Sequence, residues 1–495
     1  MKTHVRNLFL LPVLVAGFGL IPVGGATAQI FTNLHNFAYA PSDGVYPSGG
    51  VILSGNRLFG MASGGGSSDA GMVFAVNTDG TGFTNLHSFI GSDGGVPGGR
   101  LILSGNTLYG TASAGGSMES GTVFAVNTNG SGFTVLHHFA TAAPDPSNLF
   151  TNSDGFSPGE LILSGNTLYG TAYRGGSADS GTVFAVRTNG TGFTNLHSFT
   201  SLFGPGPSTN SDGARPIAGL VVSGDTLYGV AGSGGSSGNG TVFKLNTNGT
   251  GFTTLHSFAP LSGPYPPTNS DGALPLGKLI LSGNTLYGTT SGGGSSGNGT
   301  LFSINTDGTG FTKLHNFAAL PPVPGPSTNS DGAGPRGGLI LSGNTLFGTA
   351  AYGGSMESGT MFVVNTDGSG FATLFNFAAT SPPNLANSTG FGPAGGLILS
   401  GNTLYGTARQ GGSLTYGTVF SLTLPPPPPL TISPSGANVF LRWPTNAFGF
   451  GLQSTTNLVS SAVWSTVSPA PVVVNGQNTV TNSILGAQKF YRLSQ

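Results

Sequence analysis

The sequence lacks cysteine altogether and has few charged residues. Of its 495 residues only 6% are Asp, Glu, Lys or Arg, and the formal net charge is −1. Without cysteine there are neither disulfides nor thiol chemistry, so the chain must be stabilised by its own packed core. The absence of a basic stripe argues against nucleic acid or an anionic membrane surface as a partner.

Catalytic and cofactor motifs are also missing. The Gly-x-Ser-x-Gly pattern occurs only in predicted loops, at residues 155–159, 234–238 and 293–297, and not as a strand-to-helix elbow; there is no Walker-type phosphate loop and no His-Glu-x-x-His pair. None of its glycine-rich segments lies between a strand and a helix, which is where a cofactor loop would be expected. We therefore predict a protein that is not an enzyme and that carries no cofactor.

Glycine and proline, in contrast, are abundant, with 87 and 33 residues. Without a period such a composition would indicate a disordered chain. Here the glycines recur at fixed offsets between apolar runs, as turns do between strands. The pattern predicts an ordered, β-rich protein.

The first 28 residues have the pattern of an export signal. Lys2, His4 and Arg6 precede an apolar segment at residues 8–23, and Ala26-Thr27-Ala28 fits a cleavage site. The apolar segment is short and interrupted by proline and glycine, which favours a cleaved signal over a membrane anchor. We expect a secreted or cell-surface protein with no membrane span after cleavage.

One stretch, residues 101–139, recurs along most of the chain. Its core Leu-Ile-Leu-Ser-Gly-Asn, or a close variant, occurs seven times; the copies begin at Val51, Leu101, Leu161, Leu220, Leu279, Leu339 and Leu397. The spacing is 50 residues once and 58 to 60 residues thereafter. A fixed period of this size is typical of a repeat architecture.

Each copy divides into four short strands separated by turn signals; in the second copy they are residues 101–104, 107–113, 122–127 and 133–139. One such sheet cannot bury both of its faces alone, so the repeats must pack against each other. We predict an all-β fold with a seven-bladed β-propeller at residues 29–424. A Phe-Thr-x-Leu-His-x-Phe strand at Phe31 precedes the first full repeat and is missing after the last, so we expect it to complete the seventh blade. An open solenoid with capping ends is the alternative.

The remainder of the chain differs in character. Residues 425–429 are five consecutive prolines, which predict an extended linker. Residues 430–495 contain both tryptophans and alternating apolar runs, which predict a small β-sandwich loosely similar to a fibronectin type III module. Trp443 is interpreted as a core residue. This module is also a candidate for attachment to the cell surface.

The linked motifs Gly-Asn-Thr-Leu-Tyr-Gly-Thr, Gly-Gly-Ser, Gly-Thr-Val-Phe and Phe-Thr-x-Leu-His-x-Phe resemble the GloVer (Gloeo_Verruco) tandem repeat of bacterial secreted and surface proteins. The resemblance covers about residues 30–424. It implies an extracellular location, and it supplies no activity, substrate or catalytic residue.

Two polar positions recur with the repeat. The fourth strand carries a histidine in six copies and Phe375 in the seventh: His35, His87, His137, His197, His256 and His315. We interpret them as buried histidines, hydrogen-bonded between blades, since one metal ion could not reach ligands this far apart.

The second position is the aspartate of an Asp-Gly-x-x-Pro motif, replaced by Thr389 in the seventh copy; the aspartates are Asp43, Asp93, Asp154, Asp212, Asp271 and Asp331. Aspartate before glycine commonly caps a turn. Calcium, which would need several oxygen ligands, is the alternative.

Strand order predicts that blade-to-blade connections and Gly-Gly-Ser loops share one face, opposite the Ser-Gly-Asn and Asn-Thr-Asp-Gly turns. This face holds the residues that differ between copies, and binding residues concentrate on such loops. The candidate binding residues are Asp69, Arg100, Glu119, Glu160, Arg174, Asp179, Lys278, Tyr352, Glu357 and Arg409. Scattered surface charge is the alternative interpretation.

Two functions are compatible with these patterns. The first is an exported, monomeric, non-catalytic scaffold that binds an extracellular polysaccharide or protein, or has a structural role at the surface. The second is a carbohydrate-active propeller enzyme that uses Asp or Glu of the variable face. The scarcity of tryptophan in the repeats counts against sugar binding, because aromatic faces are the usual platform.

Overall fold

The computed structural model describes residues 29–145, 149–204, 208–321, 327–381, 384–425, 429–444, 450–456, 464–483 and 489–494. Within these ranges the chain is all-β, as predicted, with one short 3-10 helix at Gly176–Ala178. The predicted signal segment and residues 426–428 of the predicted linker lie outside the described residues. No described helix has the length and apolar character that a membrane crossing requires.

The repeats form a series of antiparallel sheets, and β1 (Ile30–Asn36) precedes them. Sheet 1 consists of β2 (Gly44–Ser54), β3 (Arg57–Gly65), β4 (Met72–Asn77) and β5 (Thr84–Ser88). Sheet 2 consists of β6 (Gly95–Ser104), β7 (Thr107–Ala114), β8 (Thr122–Asn127) and β9 (Thr134–His138). A small hairpin follows, β10 (Ala143–Pro144) and β11 (Phe150–Thr151). Sheet 3 consists of β12 (Phe156–Pro158), β13 (Ile162–Ser164), β14 (Thr167–Arg174), β15 (Thr182–Arg187) and β16 (Thr194–Ser198).

The later repeats follow the same order. Sheet 4 consists of β17 (Val221–Ser223), β18 (Thr226–Ala231), β19 (Thr241–Asn246) and β20 (Thr253–Ser257). Sheet 5 consists of β21 (Ile280–Ser282), β22 (Thr285–Thr290), β23 (Thr300–Asn305) and β24 (Thr312–Asn316). Sheet 6 consists of β25 (Ile340–Ser342), β26 (Thr345–Ala350), β27 (Thr360–Asn365) and β28 (Ala372–Asn376). Sheet 7 consists of β29 (Ile398–Ser400), β30 (Thr403–Ala408), β31 (Thr418–Thr423) and the N-terminal β1.

The pairing of β1 with β31 confirms that the N-terminal strand completes the last repeat sheet. The two strands are antiparallel, and Ile30 lies opposite Thr423 while Asn36 lies opposite Thr418. The predicted four strands of the second copy are also confirmed, although β6 begins at Gly95 rather than at Leu101. It begins earlier because Gly95, Pro97 and Gly98 continue to pair with β7 before the register shifts.

The two central strands of each sheet are buried on both faces, because each sheet is covered on both sides by its neighbours. In sheet 2, residues Leu108 to Ala112 and Thr122 to Val126 are buried. Gly110 lies opposite Phe124 across the strand pair, and a Cβ at Gly110 would lie 2.6 Å from the Phe124 ring. The glycine of each Leu-Tyr-Gly motif therefore makes room for the phenylalanine ring of the next strand.

Successive sheets share their hydrophobic cores. Among the described residues of the repeats there are seven buried clusters, and each joins two neighbouring sheets. The cluster that contains Leu58 and Phe74 of sheet 1 also contains Leu34, Tyr405 and Val419 of sheet 7. The first and last sheets thus pack against each other as consecutive sheets do.

The two sets of turns lie on opposite edges of the sheets, as the strand order predicts. The N–H of Thr128, in the Asn-Thr-Asn-Gly turn, donates to the carbonyl of Asn106 in the Ser-Gly-Asn turn at 2.9 Å. On the other edge, the N–H of Val96 at the start of β6 donates to the carbonyl of Ala70 in the Gly-Gly-Ser loop of sheet 1, also at 2.9 Å. We call this second edge the loop face.

The C-terminal residues form two further antiparallel sheets. One contains β32 (Thr431–Ser435), β33 (Asn438–Pro444), β36 (Val472–Val474) and β37 (Gln477–Ser483), and the other contains β34 (Gly451–Thr455), β35 (Ser465–Thr466) and β38 (Phe490–Ser494). Trp443 is 1% exposed and packs with Leu441 and Val480 of the first sheet and Leu452 of the second. Trp443 is therefore a core residue.

Candidate binding site

The loop face is tied together by one hydrogen bond at each sheet junction. The donor is the residue before the proline of the Asp-Gly-x-x-Pro motif, and the acceptor is a carbonyl of the preceding sheet's Gly-Gly-Ser loop. We call these donors the pre-proline set: Tyr46, Val96, Ser157, Arg215, Leu274, Gly334 and Gly392. Their N–H···O distances are 2.8–3.2 Å. The junction between sheets 7 and 1 has the same bond, from Tyr46 to the carbonyl of Tyr416.

All seven residues of the pre-proline set have a left-handed backbone, with φ between 52° and 67°. Glycine adopts this region without strain, and Gly334 and Gly392 use it. The other five members carry side chains, and Val96 (φ 52°) is even β-branched. The side chains of Val96 and Leu274 are 48% and 43% exposed, so burial in the core does not account for them.

A second left-handed position recurs in the Gly-Gly-Ser loops. Its members are Asp69, Glu119, Asp179, Gly238, Gly297, Glu357 and Thr415. Two of the acidic side chains cap their own loop: Asp69 accepts the N–H of Gly65 at 2.9 Å, and Asp179 accepts that of Gly175 at 3.2 Å. For these two residues, capping of the loop is a sufficient reason for an acidic side chain, and no ligand is needed to explain it.

Three charged residues occupy one equivalent position, immediately before the Leu-Ile-Leu-Ser-Gly-Asn core of their copies. The position holds Gly50, Arg100, Glu160, Gly219, Lys278, Gly338 and Gly396 in the seven copies. Lys278 Nζ lies 2.9 Å from Glu160 Oε1, and the Arg100 guanidinium donates to the carbonyl of Leu397. Burial lowers the pKa of Arg100, while the nearby Glu160 carboxylate acts in the opposite direction. The structure therefore brings these three predicted site residues together across several sheets.

The glycines at this position allow that approach. A Cβ at Gly219 would lie 2.9 Å from the Glu160 carboxyl carbon and 3.1 Å from Lys278 Cδ. A Cβ at Gly396 would lie 3.1 Å from the Arg100 guanidinium nitrogen. Long charged side chains from three copies thus fill the space that glycines leave in the others.

Above this cluster the loop face has a cavity of about 590 Å³, which we call the central cavity. Residues from all seven repeat sheets or from the connections that enter them line it, including Ser48, Val96, Glu160, Ile217, Lys278, Arg336 and Arg409. Glu160 is the one carboxylate of this lining, against the three cations Lys278, Arg336 and Arg409. Predicted residues Glu160, Lys278 and Arg409 therefore share one cavity.

A second cavity of about 510 Å³, the aromatic cavity, lies beside it and shares Arg336 with it. Tyr265, Tyr352, Phe391 and the predicted Glu357 contribute to its lining. The Arg336 guanidinium carbon lies 5.3 Å from the centre of the Tyr352 ring, which is cation–π distance. Predicted residues Tyr352 and Glu357 thus lie together and next to the central cavity.

The other predicted residues lie apart from this pair of cavities. Arg174 forms an ion pair with Asp179 and lies over the ring of Phe156 at 5.4 Å. The Tyr39 hydroxyl donates to Asp69 at 3.1 Å, and this bond raises the pKa of Tyr39. Glu119 lines a separate cavity of about 460 Å³.

The recurrent histidines and aspartates pair with each other. In six copies His Nε2 lies 2.8–3.1 Å from the aspartate of the following connection. The carboxylate also accepts a backbone N–H, for example that of Ala318 by Asp331 at 3.0 Å. For Asp212, burial acts to raise the pKa, but hydrogen bonds from His197 and Thr200 outweigh it and lower the pKa. Asp331 thus anchors its connection to the fourth strand through His315 and the Ala318 N–H. Asp43 also bonds its own turn through the Gly44 N–H, and calcium stays an untested alternative.

Each of these histidines also stacks on the sheet that follows. His315 lies 3.6 Å from the ring centre of Phe371 with the planes 2° apart. In the exceptional copy Phe375 stacks on Phe31 at 4.4 Å, and Thr389 accepts the N–H of Ala378 at 2.7 Å. The histidines are thus interlocked between sheets, as interpreted from the sequence.

Three features escaped the sequence analysis. The His–Asp pairing could have been found, because Phe375 and Thr389 replace both partners in the same copy. The pre-proline set could have been found as the variable residue inside a constant Asp-Gly-x-x-Pro motif. Arg336 gave no such signal, since its place in the two cavities depends on how sheets 5 to 7 meet.

Solved structures of low sequence identity resemble the chain. A computationally designed protein, Ika8, has 14% identity and a TM-score of 0.42, over 79% of this chain and 100% of that one. An oligogalacturonate lyase in complex with manganese has 10% identity and a TM-score of 0.47, over 80% and 97%. TolB from Acinetobacter baumannii has 11% identity and a TM-score of 0.35, over 64% and 63%.

No curated protein matches the chain. The family comparison is decisive in contrast, because a model described as the Gloeobacter/Verrucomicrobia repeat matches three overlapping segments, residues 18–156, 148–320 and 267–427. These segments contain every sheet of the repeats, and they agree with the resemblance seen in the motifs. The chain belongs to the Gloeobacter/Verrucomicrobia repeat family.

Proposed function

We propose that the seven repeat sheets are the blades of a closed β-propeller whose loop face binds an extracellular ligand, a polysaccharide or a protein. Closure is supported by the cluster shared between sheets 7 and 1 and by the hydrogen bond from Tyr46 to Tyr416 at the same junction. The central cavity, which has lining residues from every repeat, is the expected opening of the propeller axis on this face.

The observation that carries the binding function is the pre-proline set. Five of its seven members place a side chain at a left-handed backbone, although two copies perform the same hydrogen bond with glycine. A left-handed residue with a Cβ costs roughly 1–2 kcal/mol relative to a right-handed one. Strain of this kind is concentrated at ligand-binding positions, and the side chains of Val96 and Leu274 are exposed on the loop face.

Export is the second part of the proposal. The positive start, apolar segment and small-residue site at residues 1–28 support it, as does a cysteine-free chain that forms large shared cores. Mass spectrometry of the secreted protein should find Gln29 as its first residue. Retention of the uncut chain in the cell would contradict this part.

A non-catalytic role is favoured over a carbohydrate-active enzyme, because several acidic candidates are already engaged. Glu160 is paired with Lys278, Asp179 with Arg174, and Asp69 with Tyr39 and its own loop. A general acid needs a carboxyl group that is free to exchange a proton with the substrate.

The binding proposal is tested by depletion of the purified protein with a panel of insoluble polysaccharides. Depletion should occur with a subset of the panel, and it should weaken when Val96→Gly and Leu274→Gly remove two exposed side chains without changing the backbone. Asp225→Asn, in the Ser-Gly-Asp turn on the opposite face, is the control and should bind as the wild type does. Binding that is insensitive to the loop-face changes would refute the assignment of the site.

A further inference from the structure

We propose that the central and aromatic cavities form one cleft that binds an anionic polysaccharide, with Arg336 and Arg409 pairing with its carboxylates. The inference rests on the proposed binding function and specifies the class of ligand. Because Arg336 lines both cavities, it lies at the point where they meet. The aromatic cavity has a volume of about 510 Å³ and the central cavity one of about 590 Å³, which is enough space for several sugar rings.

The charge of the cleft is the first argument. The two linings contain the cations Lys278, Arg336 and Arg409 and the carboxylates Glu160 and Glu357. Lys278 and Glu160 neutralise each other at 2.9 Å. Among the described residues, neither Arg336 nor Arg409 forms an ion pair, and both are exposed. Glu357 is then the one carboxylate of the two linings that faces these two arginines, so the cleft keeps an excess of positive charge, which favours an anionic ligand.

The choice of arginine is the second argument. Its planar guanidinium offers parallel N–H donors that match the two oxygens of a carboxylate. The position of Arg336 is also restrained, because its guanidinium lies over the exposed Tyr352 ring. A guanidinium held in this way loses less conformational entropy when the ligand binds.

The aromatic cavity favours a sugar over an acidic peptide. Tyr265 is 95% exposed and Tyr352 is 41% exposed, and the Tyr352 and Phe391 rings lie 6.3 Å apart. Ser291 and Asn298 add hydrogen-bonding groups to the same lining. Aromatic faces beside hydroxyl and amide groups suit the apolar face and polar edge of a sugar ring. These tyrosine and phenylalanine rings can serve as the aromatic platform for a sugar, although the repeats have few tryptophans.

The test is the affinity of the purified full-length protein for soluble polygalacturonate, dextran sulfate, dextran and poly-glutamate. Polygalacturonate should bind most tightly, and added salt should weaken it. Arg336→Ala and Arg409→Ala should each reduce its affinity about tenfold or more, since each removes a charge-assisted hydrogen bond. Arg336→Lys should recover only part of the loss, because lysine lacks the paired donors.

Arg187→Ala is the matched control, because Arg187 is an exposed arginine beside the turns of the opposite face. It should bind as the wild type does, and all variants should unfold at the wild-type urea midpoint. Preference for dextran sulfate or poly-glutamate would overturn the ligand class. Binding of polygalacturonate at wild-type affinity by both arginine variants would overturn the inference but leave the proposed function. Binding of none of the four, nor of any polysaccharide in the depletion panel, would overturn the inference and leave a protein as the ligand of the proposed function.

Discussion

The His315–Asp331 pair should be replaceable as a unit but not one residue at a time. His315 Nε2 lies 2.8 Å from Asp331 Oδ2, and the side chains are 19% and 7% exposed. His315→Phe would keep the stack on Phe371 but leave the buried carboxylate with the Ala318 N–H and a long contact, 3.5 Å, from the Ser330 hydroxyl. Asp331→Thr would keep an acceptor for that N–H but leave the imidazole unpaired. Each single change should cost about 1–3 kcal/mol of unfolding free energy.

The double variant recreates the combination that the chain already uses at Phe375 and Thr389. There an aromatic ring stacks on Phe31, and the threonine hydroxyl accepts the backbone N–H at 2.7 Å. With no unpaired buried group left, His315→Phe with Asp331→Thr should cost less than about 1 kcal/mol. The coupling energy, which is the sum of the two single losses minus the loss of the double variant, should then be at least about 1 kcal/mol, as expected for residues in direct contact.

Urea unfolding followed by circular dichroism would measure all four proteins of the cycle; tryptophan fluorescence is unsuitable, because both tryptophans lie in the C-terminal module. The reverse exchange, Phe375→His with Thr389→Asp, is the matched experiment, and the double variant should again be more stable than either single one. If the double variant of His315 and Asp331 loses as much unfolding free energy as the two single variants together, the two residues are not energetically coupled. The reasoning from the exceptional copy would then be refuted.

Three further predictions follow from the same geometry. Burial lowers the pKa of His87 from its ordinary 6.5, so the folded state binds fewer protons than the unfolded state. The contribution of His87 to the free energy of unfolding should therefore be full above pH 6.5 and decline as the pH falls below it. Urea titrations at several pH values should show this decline for the wild type and not for a His87→Phe, Asp93→Thr variant. Gly110→Ala should lose about 1–3 kcal/mol because its Cβ would lie 2.6 Å from the Phe124 ring, whereas Gly98→Ala, with no atom within 4 Å, should unfold at the wild-type midpoint. Val96→Gly should leave stability within about 1 kcal/mol of wild type, because relief of the left-handed strain offsets the added chain entropy; a larger loss in thermal unfolding would contradict the strain argument.

Local pattern determined much of the fold. The period and the turn motifs were sufficient to predict four antiparallel strands in each copy and the two opposite sets of turns. The strand at Phe31 that lacks its repeat was sufficient to predict the pairing of β1 with β31. These features depend on residues close in sequence, or on a count of copies, and both can be read without coordinates.

What the tertiary structure decided concerns residues that lie far apart in sequence. Glu160 and Lys278 are 118 residues apart, and only the way the sheets are arranged brings them within 2.9 Å. The same arrangement places Arg336 beside Tyr352 and leaves Arg409 without an ion-pair partner in the central cavity. The strained backbone positions were also visible only in the structure, because valine rarely adopts a left-handed φ and its presence at position 96 does not predict one. Sequence therefore identified the face of the protein that varies, and the packing of the sheets selected which of its residues meet.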